Sequence, residues 1–217
     1  MISSRIKRQL EQVDWDFAQH LPGTSKTIHW YPGTYPADIP TTLIQALSKS
    51  EDLIFDPYGG TGTTALEALR QSRRAWLVEA NPVGCLASYA AGGFILLKAV
   101  RPELALMLLD MLRRAVDGNA KARVSQLSIE VDLDPGVEID NTLNALIRPS
   151  LDEFSSLYGR PPMLSQLSVW IEKDTLRDLQ QILKSMKQAS LGVFGEIVAK
   201  TMLSAILKAV SSQTQSW

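Results

Sequence analysis

Cysteine and histidine are nearly absent: one cysteine, Cys85, and two histidines, His20 and His29, stand among 217 residues. A lone cysteine forms no internal disulfide, and these three residues are too few for a zinc site built from His and Cys, so no metal is expected and the setting should be reducing and cytoplasmic. An excess of one charge is missing too. Lys and Arg number 22 against 23 Asp and Glu, for a formal net charge of -1, so any nucleic-acid surface must be local. Long apolar runs are also lacking: the longest charge-free stretch, Ala80 to Leu97, is broken by Asn81, Pro82, Ser88 and several glycines, and Met1 to Leu10 is polar and basic. Neither a membrane span nor an export signal is expected. With 45% hydrophobic and 21% charged residues the chain can bury a core. Its length suits one ordinary domain or a core with a sizeable appendage.

Periodicity sketches the elements. Ile6, Leu10, Val13, Phe17 and Leu21 recur at helical steps, predicting a leading amphipathic helix that stops at Pro22-Gly23. Ile28 to Pro40, with Pro32, Gly33, Pro36 and Pro40 among Trp30, Tyr31 and Tyr35, reads as an ordered loop. Thr41 to Ser48 reads as a short helix with Leu43, Ile44 and Leu47 inward, and Leu53 to Phe55 as a buried strand. Thr63 to Gln71 is helical in its spacing, and Ala75 to Val78 is a second buried-strand candidate ending at Glu79. Strand, helix, strand with short connections implies parallel strands and a right-handed crossover, hence an α/β architecture. Beyond Pro82 helices dominate: Val83 to Val100, Pro102 to Val116, a stripe of Leu176, Leu179, Leu183 and Met186, and another of Leu191, Phe194, Val198, Met202, Ile206 and Val210. Leu127 to Leu133 alternates before Asp134-Pro135-Gly136, which suggests a hairpin, and Gly159 to Pro162 is the best internal boundary.

The chemistry lies in Asp56-Pro57-Tyr58-Gly59-Gly60-Thr61-Gly62-Thr63-Thr64, where a strand end turns into a helix. In open α/β sheets ligands are held at that place. Glycines there permit positive φ and close backbone approach, and the N–H groups opening the helix face a carboxylate or phosphate. A plain tight connection is one alternative. A phosphate loop lacks its Lys after Gly62, and a dinucleotide turn lacks the G-x-G-x-x-G spacing.

The segment resembles the D-P-F-x-G-x-G-T-T signature of amino-group (adenine N6 or cytosine N4) DNA methyltransferases. His29-Trp30-Tyr31-Pro32 through Pro40 is similar to the segment those enzymes place before their first strand, and Arg73 to Pro82 to their second motif. The resemblance covers residues 28 to about 90. It implies a partial Rossmann-like class I methyltransferase domain of parallel strands with a large helical insert, binding S-adenosylmethionine. Boundaries follow: residues 1–27 an amphipathic helix, 28–100 the cofactor-binding α/β unit, and 101–217 a mainly helical region in the position of a target-recognition insert. The resemblance also assigns roles. Asp56 would accept from the cofactor's ammonium group or order the loop, with Pro57 and Tyr58 beside it. Gly59, Gly60, Thr61 and Gly62 would wrap the methionine moiety. Thr61 and Thr63, with Thr64 alongside, would offer hydroxyls to its carboxylate. Glu79, with Ala80 and Asn81, would hold the ribose, while Tyr31 and Thr34 are second-rank contacts.

A catalytic segment of the form [Asp/Asn/Ser]-Pro-Pro-[Tyr/Phe/Trp], which accepts from an exocyclic amine and stacks on a flipped base, does not occur. Pro161-Pro162 sits between Arg160 and Met163, and Cys85 follows Gly84 in an apolar helix, which suits a buried structural thiol. The chain reads as the cofactor-binding half of a DNA methylase, either a fragment or one subunit whose catalytic half is a separate chain, with DNA as partner (RNA as the alternative) and a homodimer formed through an unfinished sheet edge. The competing readings are a non-catalytic module that binds S-adenosylmethionine and scaffolds a partner, and a degenerate domain that binds nothing.

Overall fold

A computed structural model describes residues 3–17, 29, 33–117, 134–158 and 171–207, and the chain divides into two units, Met1–Ile95 and Leu96–Trp217. The first unit opens with helix α1 (Ser4–Glu11), whose N-cap Ser3 accepts from Ile6 N at 3.3 Å. The expected helix through Leu21 is corrected here. Asp14 Oδ1 takes the amide of Asp16 at 3.1 Å, Trp15 Nε1 donates to Leu10 O at 3.1 Å, and Phe17 has φ 41°. A short side chain competing for local amides ends the helix before its apolar spacing does.

Helix α2 (Asp38–Leu47) starts earlier than its spacing predicts, because Pro40 lies in the first turn, where a missing N–H removes no intrahelical bond. Ile44 is buried, but Leu47 is exposed, contrary to expectation. Next come strand β1 (Leu53–Asp56), helix α3 (Thr63–Arg70) and strand β2 (Arg74–Leu77). The strands pair in parallel, in the register Leu53↔Arg74, Ile54↔Ala75, Phe55↔Trp76 and Asp56↔Leu77, as the short connections require. Helix α3 packs on both strands and α2 packs on α3.

The strands are not the buried ones expected. Leu53 is 48% exposed, Phe55 56%, Trp76 62% and Val78 50%. One face meets α3, while the other carries the Phe55 and Trp76 rings edge to face at 5.9 Å. An apolar run reads alike whether or not its second face is covered.

Helix α4 (Pro82–Val100), whose residues to Ile95 belong to the first unit, runs unbroken through its glycines. By length and composition alone this helix could cross a membrane, its 18-residue window having a mean hydropathy of 1.6, but 44% of that window is buried within the protein. Cys85, Ala87, Ser88, Ala90 and Ala91 are buried, so this apolarity is used in packing.

In the second unit, α5 (Pro102–Val116), α6 (Pro135–Leu146), α7 (Leu151–Tyr158), α8 (Lys173–Gln188) and α9 (Gly192–Leu207) surround Leu104, Leu108, Leu143, Phe154, Phe194 and Ile197. Asp134-Pro135-Gly136 is not a hairpin turn: Asp134 caps α6 by accepting from Gly136 N at 2.9 Å, with Pro135 in the first turn. The suggested strand at 127–133 and the boundary at 159–162 lie outside the described residues. Leu176, Leu179 and Met186 are buried, whereas Met202 and Ile206 of the second stripe are exposed. Steps of four residues overshoot a helical turn by about 40° each, so the stripe drifts off the buried face, which passes to Ile197 and Thr201.

Asp140 ties α6 to the start of α9, accepting from Val193 N at 2.6 Å and Phe194 N at 2.9 Å. Burial pushes its carboxyl above the ordinary carboxylate range, against the pull of those two amides, and the charges of Asp152 and Glu196 add to the rise. A raised folded-state pKa means the native state holds the proton more tightly. The Asp140 contribution to stability is therefore full at low pH and declines as pH rises through the folded value. Thermal scans across that range should show the decline in the native protein and lose it in Asp140→Ala. This substitution also strands two amides, for a loss of about 1–2 kcal/mol at neutral pH.

Candidate functional site

The glycine turn sits at the carboxyl end of β1, and its path follows from what crowds it. Gly59 N donates to Val78 O at 2.9 Å, laying the turn across the end of β2, and a Cβ on Gly59 would meet the Leu77 side chain at 2.7 Å. Gly62 has φ 90°, and a Cβ there would lie 2.9 Å from Ser88 Cβ. The chain then enters α3 with Gly62 as N-cap and no side-chain cap, and of the first-turn N–H groups that of Thr64 is turned to the Tyr35 hydroxyl, leaving those of Thr63 and Ala65 for a ligand.

The polar residues of the turn divide into engaged and open ones. Asp56 Oδ1 accepts from Tyr58 N at 3.0 Å, so this carboxylate orders the loop. Tyr58 is 87% exposed. Thr61 and Thr63 are buried, and the Thr61 hydroxyl has no hydrogen-bond partner among the described residues. A buried, unpaired hydroxyl costs about 1–3 kcal/mol, which a ligand's acceptor would offset. The Thr64 and Tyr35 hydroxyls are hydrogen-bonded to each other. Burial pushes the Tyr35 phenol above its ordinary value, bonds to its oxygen from the Thr64 hydroxyl and main chain oppose this, and the Asp56 charge adds to the rise.

Glu79 closes the site. Its Oε2 accepts from Gly60 N at 2.7 Å and its Oε1 from Asn81 N at 2.7 Å. Asn81 Oδ1 in turn takes Val83 N at 3.0 Å, and Ala80 is exposed between them. The structure thus brings residues 56–64 and 79–81 together. Thr34 is exposed, and Tyr31 lies outside the described residues. Cys85 is buried and donates to Glu79 O at 3.2 Å, a structural thiol.

Three participants escape the motif reading: Tyr35, Gly84 and Ser88. The first is one aromatic residue among several in a proline-rich loop. The other two are small residues one helical turn apart, Gly84 and Ser88, which let α4 approach the turn. Beside the turn a pocket of about 700 Å³ opens between α2 and β1, lined by Tyr35, Leu43, Leu47, Leu53, Ile54 and Thr64 among others. Among the described residues no three His, Cys, Asp or Glu side chains gather as a metal site.

Comparison with known proteins gives two matches. Residues 3–89 match the model of a family described as DNA methylase. A stretch of 52 residues is 38% identical to the type II methyltransferase M.PvuII of Proteus hauseri, covering 24% of this chain and 16% of that enzyme. The matched part is thus a small share of the relative's length. No solved structure matches significantly. The two matches support the amino-group methyltransferase family for the first part of the chain.

Proposed function

We propose that the family segment is the S-adenosylmethionine-binding part of an amino-group DNA methylase, acting on adenine N6 or cytosine N4, and that β1, α3 and β2 are the beginning of a Rossmann-like sheet. The observation that carries this is the glycine turn between β1 and the uncapped start of α3, with the unpartnered Thr61 hydroxyl inside it and the Glu79 carboxylate across it. A zwitterionic amino acid joined to a nucleoside suits that donor set. The α3 amides and the Thr61 and Thr63 hydroxyls would hold its carboxylate, Asp56 would face its ammonium group, and Glu79 would accept from its ribose hydroxyls. When bound, the cofactor supplies an electrophilic methyl on sulfonium sulfur. The chain's residues supply position and charge, which such a transfer needs more than a Lewis acid.

The acceptor-binding segment is absent from these 217 residues. We assign it to other polypeptide, joined or separate, with DNA as the substrate that polypeptide presents. The uncovered face of Leu53, Phe55, Trp76 and Val78 is consistent with further structure joining the sheet there, in another polypeptide or a second copy of this chain. Region 101–217 would then take the place of a target-recognition insert.

Tritiated S-adenosylmethionine tests both halves of the reading. The protein should become labelled on ultraviolet irradiation yet transfer no methyl group to DNA alone, and should gain transfer when a polypeptide bearing the Pro-Pro-aromatic segment is added. Absence of labelling would refute the cofactor site. Methylation by the protein alone would refute the assignment of acceptor chemistry elsewhere.

A further inference from the structure

One carboxylate, that of Glu79, joins the two turns that form the candidate site. Gly60 belongs to the turn after β1 and has φ 52°, whereas Asn81 opens α4 after β2. Each gives its backbone N–H to a different oxygen of Glu79, both at 2.7 Å. Bonds of amides to an ionised acceptor are about twice as strong as neutral ones.

The first turn of α4 lies against the same group. A Cβ on Gly84 would come 2.8 Å from Gly60 O and 2.9 Å from Glu79 Cγ. Any side chain at 84 would therefore push Gly60 and the Glu79 side chain apart. A carboxylate has about four lone-pair directions, and two are used here, leaving roughly one on each oxygen.

We propose that Glu79 is a positioning residue for the glycine turn: a clasp that fixes Gly60 and Asn81 before any ligand arrives, with Gly84 shaped to admit it. The clasp also presets the two remaining lone pairs, those already assigned above to the ribose hydroxyls. Only this second half rests on the cofactor reading above, since the clasp itself is a property of the ligand-free protein.

Amide hydrogen exchange by NMR, without ligand, reads the clasp. The Gly60 and Asn81 amides should be protected in the native protein and lose protection about ten-fold or more in Glu79→Ala. Glu79→Asp, one methylene shorter, should lose it as well, while Glu79→Gln, which keeps a side-chain oxygen acceptor, should lose less. Gly84→Ala should also lose it with the carboxylate still present. Unchanged protection within α3 shows that the variants are folded.

Calorimetry with S-adenosylhomocysteine and its 2′,3′-dideoxy analogue then separates the roles. Gly84→Ala should weaken both ligands by a similar factor of about ten, and Glu79→Ala should weaken both, the diol-bearing one more. Exchange at Gly60 unaffected by Glu79→Ala, or a loss confined to the diol-bearing ligand, would overturn the clasp. Protected Gly60 and Asn81 amides that Glu79→Ala releases, in a protein that binds neither ligand, would support the clasp and refute the cofactor reading.

Discussion

Gly62→Ala should abolish measurable S-adenosylhomocysteine binding and destabilise the first unit by about 2–4 kcal/mol. Two separable effects add. At φ 90° an L side chain is strained, which costs about 1–3 kcal/mol. The new methyl group would also lie 2.9 Å from Ser88 Cβ and 3.3 Å from Ser88 Cα, and because the latter is backbone, α4 must shift. The double variant with Ser88→Gly should recover part of the packing loss and none of the strain. Gly33 is the control. Its φ is 82° but among the described residues nothing lies within 4 Å of an added Cβ, so Gly33→Ala should cost about 1 kcal/mol through conformation alone. Thermal unfolding and calorimetry check each value, and a Gly62→Ala protein with native melting and native affinity would contradict the geometry of the turn.

Gly136→Ala should strongly destabilise the second unit. A Cβ on Gly136 would lie 2.6 Å from Ser190 O, 2.7 Å from Gly192 N and 2.9 Å from Leu191 C, all of them main-chain atoms. Gly192 faces the same contact from the other side, with φ 70° and an added Cβ 2.6 Å from Gly136 O. No rotamer relieves such an overlap. Helix α6 must withdraw from the start of α9, and the bonds from Val193 and Phe194 to Asp140 lengthen with it. A loss of about 3 kcal/mol, seen as a melting temperature lower by roughly 10 °C, is expected. Melting within a degree or two of native would show that the two backbones do not touch.

The sequence makes the centre of the first unit legible because its signals are local. A short apolar run, glycines where φ is positive, and a helical spacing after them define β1, the turn and α3, and an acidic residue at the end of the second run marks Glu79. Coverage is not local. Leu53, Phe55 and Trp76 look like core residues in sequence, and only the placement of α3 on one face shows that the other is open. Helix ends also escape periodicity when side chains intervene, as Asp14 does after α1 and Asp134 before α6. Within the site, the motif points to Glu79 but not to its hold on Gly60 and Asn81, nor to Gly84 beneath it. These depend on the register of β1 against β2 and on how closely α4 begins.

Titration calorimetry of the folded 217-residue protein with S-adenosylhomocysteine tests the central claim most directly. One ligand should bind per chain, with affinity lost in Gly62→Ala and weakened about ten-fold or more in Glu79→Ala. No heat and no shift in melting temperature at saturating ligand would show that the turn between β1 and α3 does not hold this nucleoside.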